Sequence, residues 1–238
     1  MKKYLILALL YLLFIPDAKT QVNLSVFSEV SIITAGPGEN LYEAFGHSAI
    51  RIKDPVLQLD LIYNYGMFDF DAPNFYTNFT KGKLLYKLGR YEFKYFLASY
   101  QRDLRWVKAQ VLNLNQEERQ AFFNFLEQNA SPQNAQYLYD PFYNNCASKL
   151  RDISKSILGH RLVFHTDSIE KNLSLRTLMN RRIEWNTWGG FGINLALGNQ
   201  LDKTVTPTGY MYLPDYVYEL FKTAKLDGKA LVKKEETL

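Results

Sequence analysis

Two β-rich runs separated by one tight turn constrain this chain more than any other feature. "HSAIRIK" (residues 47–53) alternates apolar and polar side chains and is closed by Asp54-Pro55; "LQLDLIYNYG" (residues 57–66) resumes just after it. Alternation with a period of two reads as strand, and so short a link joins antiparallel neighbours, because parallel strands need a much longer crossover. A third run, "SVFSEVSIITAG" (residues 25–36), is rich in β-branched residues and stops at "GPGEN", as a strand ending in a turn does. The expectation is an antiparallel sheet with His47 at the start of a strand in its heart.

Helical spacing accounts for much of the remainder. "YEFKYFLASYQRD" (residues 91–103) sets Phe93, Phe96, Leu97 and Tyr100 on one face, and "LRWVKAQVLNL" (residues 104–114) returns to strand character. Asn115, with Glu118 three residues later, resembles a capping box opening a helix through "QEERQAFFNFLEQN". The next helix is expected from Asn145 through "CASKLRDISKSIL" to Gly159, with Cys146, Leu150, Ile153 and Ile157 on one face. "LSLRTLMNRRIEWN" (residues 173–186) and "LPDYVYELFKTAKL" (residues 213–226) also read as helices, the second opening at a proline. The stretch from Phe68 to Gly89 carries Pro73 and two glycines among its rings and reads as irregular, with a short helix near residues 74–80. This is an α+β pattern, an antiparallel sheet packed against helices, expected as one domain over residues 21–238. It contains no repeat, no low-complexity linker and no nucleotide-binding glycine motif.

The N-terminus places the chain outside the cytoplasm. Lys2-Lys3 precedes an apolar run from Tyr4 to Ile15, and "PDAKTQ" offers small residues before a cut ahead of Gln21, so residues 1–20 read as a secretory signal peptide. The run is shorter than the roughly 20 residues a membrane span requires. Losing Lys2, Lys3, Lys19 and Asp17 brings the formal charge from +4 to +2, a near-balance that argues against a nucleic-acid partner. An exported chain with 1 cysteine forms no internal disulfide, so Cys146 must be either buried or used. The 17 tyrosines and 16 phenylalanines suit a core and clefts walled by rings with polar edges.

Cys146 falls at the first turn of its expected helix. There, backbone N–H groups and the macrodipole favour an anion, lowering a thiol pKa and supplying donors for an oxyanion. A histidine on a neighbouring strand can take the thiol proton and hand it to a leaving group, and a third polar group can fix its tautomer. The competing reading is a small buried hydrophobe and a strand histidine. The polar "NNC" at the helix start and the small residues of "FGHSA" around His47 bring the catalytic pairing level with it.

"GPGENLYEAFGHSAIRIKDP", "YNYGMFDFDAPNFYTNFTKGKLLY", "YDPFYNNCASKLRD", "WGGFGINLALGNQLD" and "MYLPDYVYELF" follow one another in this order. These motifs resemble the Lnb N-terminal periplasmic domain family, exported bacterial domains common in Bacteroidetes, and the likeness covers nearly all of the chain after the signal peptide. The resemblance implies a permuted papain-like fold, similar to NlpC-type and lecithin retinol acyltransferase enzymes, in which histidine precedes cysteine, as His47 precedes Cys146. It also implies lipoprotein N-acyltransferase activity: an acyl chain from a phospholipid is held on the cysteine as a thioester, then moved to the free α-amine of a lipid-modified N-terminal cysteine. The partners so implied are a phospholipid donor, a lipoprotein N-terminus and the membrane surface, with a periplasmic location at the inner membrane. No cofactor is expected. Acyltransferases of this family continue into membrane-spanning helices past the segment corresponding to "LVKKEETL", so the expectation is either a fragment cut at the membrane boundary or a soluble relative.

Other residues have two readings each. Asn64 either hydrogen-bonds the His47 imidazole or is a polar edge residue; Tyr65 and Tyr143 are oxyanion donors or walls; Asn145 is a helix cap or an oxyanion donor. Asp202 belongs to a motif shared with the family. His160 and His165 lie at a helix end and in a loop, away from any ligand spacing, so no metal is expected. Phe68, Phe70, Phe75, Tyr76 and Phe79 form the expected apolar wall, which would keep water from a thioester and also rest on a membrane. The runner-up function is a cysteine peptidase or amidase acting on cell-wall peptides; a non-catalytic lipid- or peptide-binding domain is the third.

Overall fold

The central strands of the sheet are buried on both faces. The computed structural model describes residues 22–238 except 69–72, 75–76, 79–80, 82 and 84. The signal peptide, Phe70, Phe75, Tyr76 and Phe79, and much of the helix expected near 74–80 lie outside the described residues. Strands β1 (Glu29–Ala35), β2 (His47–Asp54) and β3 (Leu59–Met67) are the expected runs, and they pair antiparallel. With β4 (Leu85–Glu92), β5 (Val107–Leu112), β6 (Gln136–Leu138) and β10 (Val232–Thr237) they form a sheet in the order β10-β5-β1-β2-β3-β4-β6. A small second sheet joins β7 (Leu162–Val163), β8 (Lys225–Leu226) and β9 (Lys229–Ala230). The class is α+β.

One face of the large sheet presents Val30, Ile32, Ile50, Ile52, Leu61 and Tyr63 to three helices: α2 (Gln116–Asn129), α3 (Cys146–Leu158) and α6 (Pro214–Thr223). The other face sets Ile33, Ala35, Ala49 and Ile62 against α1 (Phe93–Arg102). A satellite cluster gathers around α4 (Leu175–Asn180), including Leu178, Met179 and Tyr210, with Ile193 and Leu197 of α5 (Trp188–Leu197) packed on it.

Three expectations change, and one segment left without a reading gains a structure. Tyr91 and Glu92 end strand β4 instead of opening α1, because their backbone pairs with Ile62 and Leu61. Residues 85–89, expected to be irregular, belong to that same strand. The helix expected over 173–186 stops at Asn180, and Thr187 then caps α5 by accepting from Gly190 N–H. "VKKEET" near the C-terminus is an edge strand whose charged residues suit its exposure.

Candidate active site

The large sheet opens beside His47, and α3 points into the opening. β2 and β3 pair from Ile50–Tyr63 to Asp54–Leu59. Beyond Tyr63, β3 continues along β4 through an irregularity between Asn64 and Met67. Gly66 stands inside it at φ +95°, a left-handed conformation that glycine adopts without steric cost. A Cβ on Gly66 would meet Cys146 Cβ at 3.7 Å and His47 Cε1 at 3.9 Å, so both functional side chains close over this one glycine.

Asn145 fixes the start of α3. Its Oδ1 accepts from Ala147 N–H at 3.0 Å and Ser148 N–H at 2.8 Å, and Ser148 Oγ accepts from the Asn145 N–H, completing a capping box. Its Nδ2 donates to the Pro141 and Tyr212 carbonyls at 2.7 and 2.8 Å. Both amide hydrogens are therefore engaged, which makes Asn145 a cap and a tie between segments and leaves no donor for an oxyanion. Cys146 becomes the first residue of the helix, where backbone N–H groups lack intrahelical partners.

The thiol and the imidazole adjoin over Gly66, close enough for each to shift the pKa of the other. His47 Nε2 lies 2.6 Å from Asn64 Oδ1, which can only accept, so Nε2 carries a proton and Nδ1 is the nitrogen left for the thiol. Asn64 Nδ2 in turn donates to the Tyr91 hydroxyl at 2.9 Å. The His47 ring packs near Phe96 and stacks on Tyr100, with centroids 6.3 and 6.5 Å away. Behind Tyr100 stands Arg105, 4.6 Å over the ring and 2.9 Å from Glu43, an ion pair that ties the loop before His47 to the strand β5 side.

Burial alone would push the Cys146 thiol up. The adjacent His47 charge and hydrogen bond, with the Ser48 and Ala147 N–H groups, outweigh it and hold the thiol below its ordinary value. Burial would likewise lower His47; attraction to the Cys146 anion and the bonds to Cys146 and Asn64 overcome both burial and Arg105 repulsion, so its pKa is raised. Both directions favour a thiolate–imidazolium pair. Both residues remain partly exposed.

Three further rings gather with Tyr137 and Tyr139, both of which feel the Cys146 charge. Phe68 packs on Tyr86 at 5.0 Å, Tyr86 stacks on Tyr139 at 4.1 Å, and Tyr65 meets Tyr137 edge-on at 6.0 Å. Burial raises Tyr137 and Tyr139, and the Cys146 charge adds to both. Lys149, one turn beyond Cys146, sets its ammonium 4.8 Å over the Tyr137 ring, with burial lowering its pKa.

Of the other residues singled out above, Tyr65 is in the core, pushed up to about 12 by burial, with its hydroxyl accepting from Asn129 Nδ2 on α2. Tyr143 is 53% exposed, with its ring against Phe142. Asp202 pairs with Arg176 at 2.7 Å, tying α4 to the turn after α5. Among the described residues no group of three or more His, Cys, Asp and Glu side chains could hold a metal ion. Sequence reasoning missed Tyr91, Tyr100, Tyr137 and Tyr139. A diagonal strand pair brings Tyr91 in, and a three-residue strand brings Tyr137; neither leaves a periodicity to read.

Among the described residues no helix is long and apolar enough to cross a membrane. Comparison with curated proteins and with solved structures returns no match. The sequence profile of one family matches residues 16–181, a span that holds His47, Asn64, Tyr91 and Cys146 together. The chain therefore belongs to the Lnb N-terminal periplasmic domain family.

Proposed function

We propose that this domain is a cysteine-dependent acyltransferase that moves a fatty acyl chain from a phospholipid, through a Cys146 thioester, to the N-terminal amine of a lipoprotein. One observation carries the reading: the Cys146 thiol and the His47 imidazole adjoin over Gly66, and the ring's Nε2 is held by Asn64 at 2.6 Å. The Cys146 thiolate attacks the ester carbonyl; the tetrahedral adduct collapses as the His47 imidazolium protonates the departing lysophospholipid alkoxide, leaving a thioester and a neutral ring. The acceptor amine attacks the thioester, His47 takes the amine proton, and the thiolate leaves, restoring the ion pair. The balance is phospholipid plus amine giving lysophospholipid plus amide. Asn145 takes the Ala147 and Ser148 N–H groups, so the Cys146 N–H is the one at the helix start that suits the oxyanion in both steps.

Hydrolysis by a peptidase or amidase would use the same pair. The ring wall of Phe68, Tyr86, Tyr137 and Tyr139 favours transfer, because a thioester survives until the amine arrives only where water is held away. A bilayer contact at the inner membrane is supported by α5, which has no charged residue and exposes Trp188 (88%), Phe191 (57%) and Leu195 (69%) on one side, beside Trp185 (64%). Leu41, in the loop leading to His47, stands 3.5 Å from a Cβ built on Gly189, so this apolar surface runs toward the site.

Mass spectrometry after incubation with phospholipid vesicles tests the reading. A single fatty-acyl adduct is expected on Cys146, transferring to an added diacylated lipopeptide. No adduct, together with cleavage of a muropeptide, would overturn acyl transfer in favour of hydrolysis.

A further inference from the structure

Asn64 offers two kinds of group, and His47 uses one. Its oxygen accepts from His47 Nε2 at 2.6 Å, while its Nδ2 donates to the Tyr91 hydroxyl at 2.9 Å. The two residues lie diagonally across β3 and β4, since Asn64 faces Gly89 and Tyr91 faces Ile62. Gly89 keeps the space between them clear: a Cβ there would collide with the Met67 side chain and stand 3.2 Å from Tyr91 Cε1.

We propose that Tyr91 is a positioning residue that acts on His47 through Asn64, holding the amide with its oxygen toward the imidazole. The inference rests on the Cys146–His47 reading and adds to it a fourth member, remote from the thiol. Turned over, the amide would present N–H to Nε2. That nitrogen would have to be bare, the ring proton would sit on Nδ1 facing the thiol, and the ring could no longer accept the thiol proton. The imidazolium raises the demand: both ring nitrogens then donate, Nε2–H requires the Asn64 oxygen, and the Asn64 N–H left over requires an acceptor in a partly buried place. Tyr91 Oη is that acceptor. Burial raises the phenol pKa, so the hydroxyl stays neutral where the pair works. The ring itself packs against the α1 side of the core, which Phe in its place preserves.

The experiment follows the pH dependence of Cys146 alkylation by iodoacetamide in the wild-type chain, Tyr91→Phe, Asn64→Ala, the double variant and His47→Ala. Tyr91→Phe is expected to slow alkylation near neutral pH about five-fold, the loss of one hydrogen bond, and to move the acid limb upward, with the melting temperature falling by a few degrees and the fold retained. In the Asn64→Ala background the same substitution should add nothing, because its route to His47 is gone. An unchanged profile in Tyr91→Phe, or an undiminished effect when Asn64 is absent, overturns the Tyr91 role and leaves the Cys146–His47 pair standing. A wild-type thiol no faster than that of His47→Ala overturns both. Should Tyr91→Phe fold poorly, ¹⁵N shifts of the His47 ring in the unaltered protein decide: a proton on Nε2 in the neutral ring supports the role, and a bare Nε2 refutes it.

Discussion

A shared proton sets the working range of this site. His47 is raised above 6.5, so the stability drawn from its charge is full below 6.5 and lost as pH climbs through the raised value. Cys146 is lowered below 9.0, so its contribution is full above 9.0 and lost as pH falls through the lowered value. The ion pair fills the range between the two folded-state values where Cys146 titrates below His47, and both shifts act in that sense. The rate of thioester formation should therefore follow a bell, with its acid limb from Cys146 lying below 9.0 and its alkaline limb from His47 above 6.5. Rapid-quench measurement of acyl adduct across pH checks this, and Cys146→Ser should abolish the adduct at every pH. The pair itself was legible in the sequence because both members stand beside small or polar neighbours at element starts. Asn64 stood between two equal readings, and its 2.6 Å contact with His47 decides for the hydrogen bond. Tyr91 was not legible, since the sequence assigned it to a helix and only strand pairing puts its hydroxyl beside Asn64.

Asn145 decides where α3 begins, and so where the nucleophile stands. Asn145→Ala removes two accepted and two donated hydrogen bonds, leaving the Pro141 and Tyr212 carbonyls without their partner. A lost cap costs about 1 kcal/mol and a buried unpaired group about 1–3 kcal/mol, so a total of about 2–4 kcal/mol is expected in urea denaturation. Asn145→Asp keeps the capping oxygens and should recover about 1 kcal/mol of it. Caps of this kind are local, which explains why the starts of α2 at Asn115 and of α3 at Asn145 were read correctly. β4, read as irregular, has no such signal: it holds Gly89 and pairs with only three residues of β6. β10 is a run of Lys and Glu whose strand state depends on β5 at its side.

At the scale of the molecule, α5 inverts the usual rule for surface helices. Its one polar residue with strong bonds, Asn194, faces inward to Arg176 and Asn180, while Trp188, Phe191 and Leu195 face out. Replacing Trp188 and Phe191 with Ser should release the domain from phosphatidylglycerol-containing vesicles in a flotation assay, with little change in thermal stability because both side chains are already exposed. Equal flotation of variant and wild type would remove α5 from any bilayer contact. One further property of the site concerns its chemical lifetime. Cys146 combines a lowered pKa, partial exposure and the absence of a second thiol in the chain. Peroxide turns such a thiolate into a sulfenic acid, and with no resolving cysteine to close a disulfide over it, the next oxidation, to sulfinic acid, is irreversible. The durability of this nucleophile in an oxidising compartment is therefore governed by reductants supplied from outside the polypeptide.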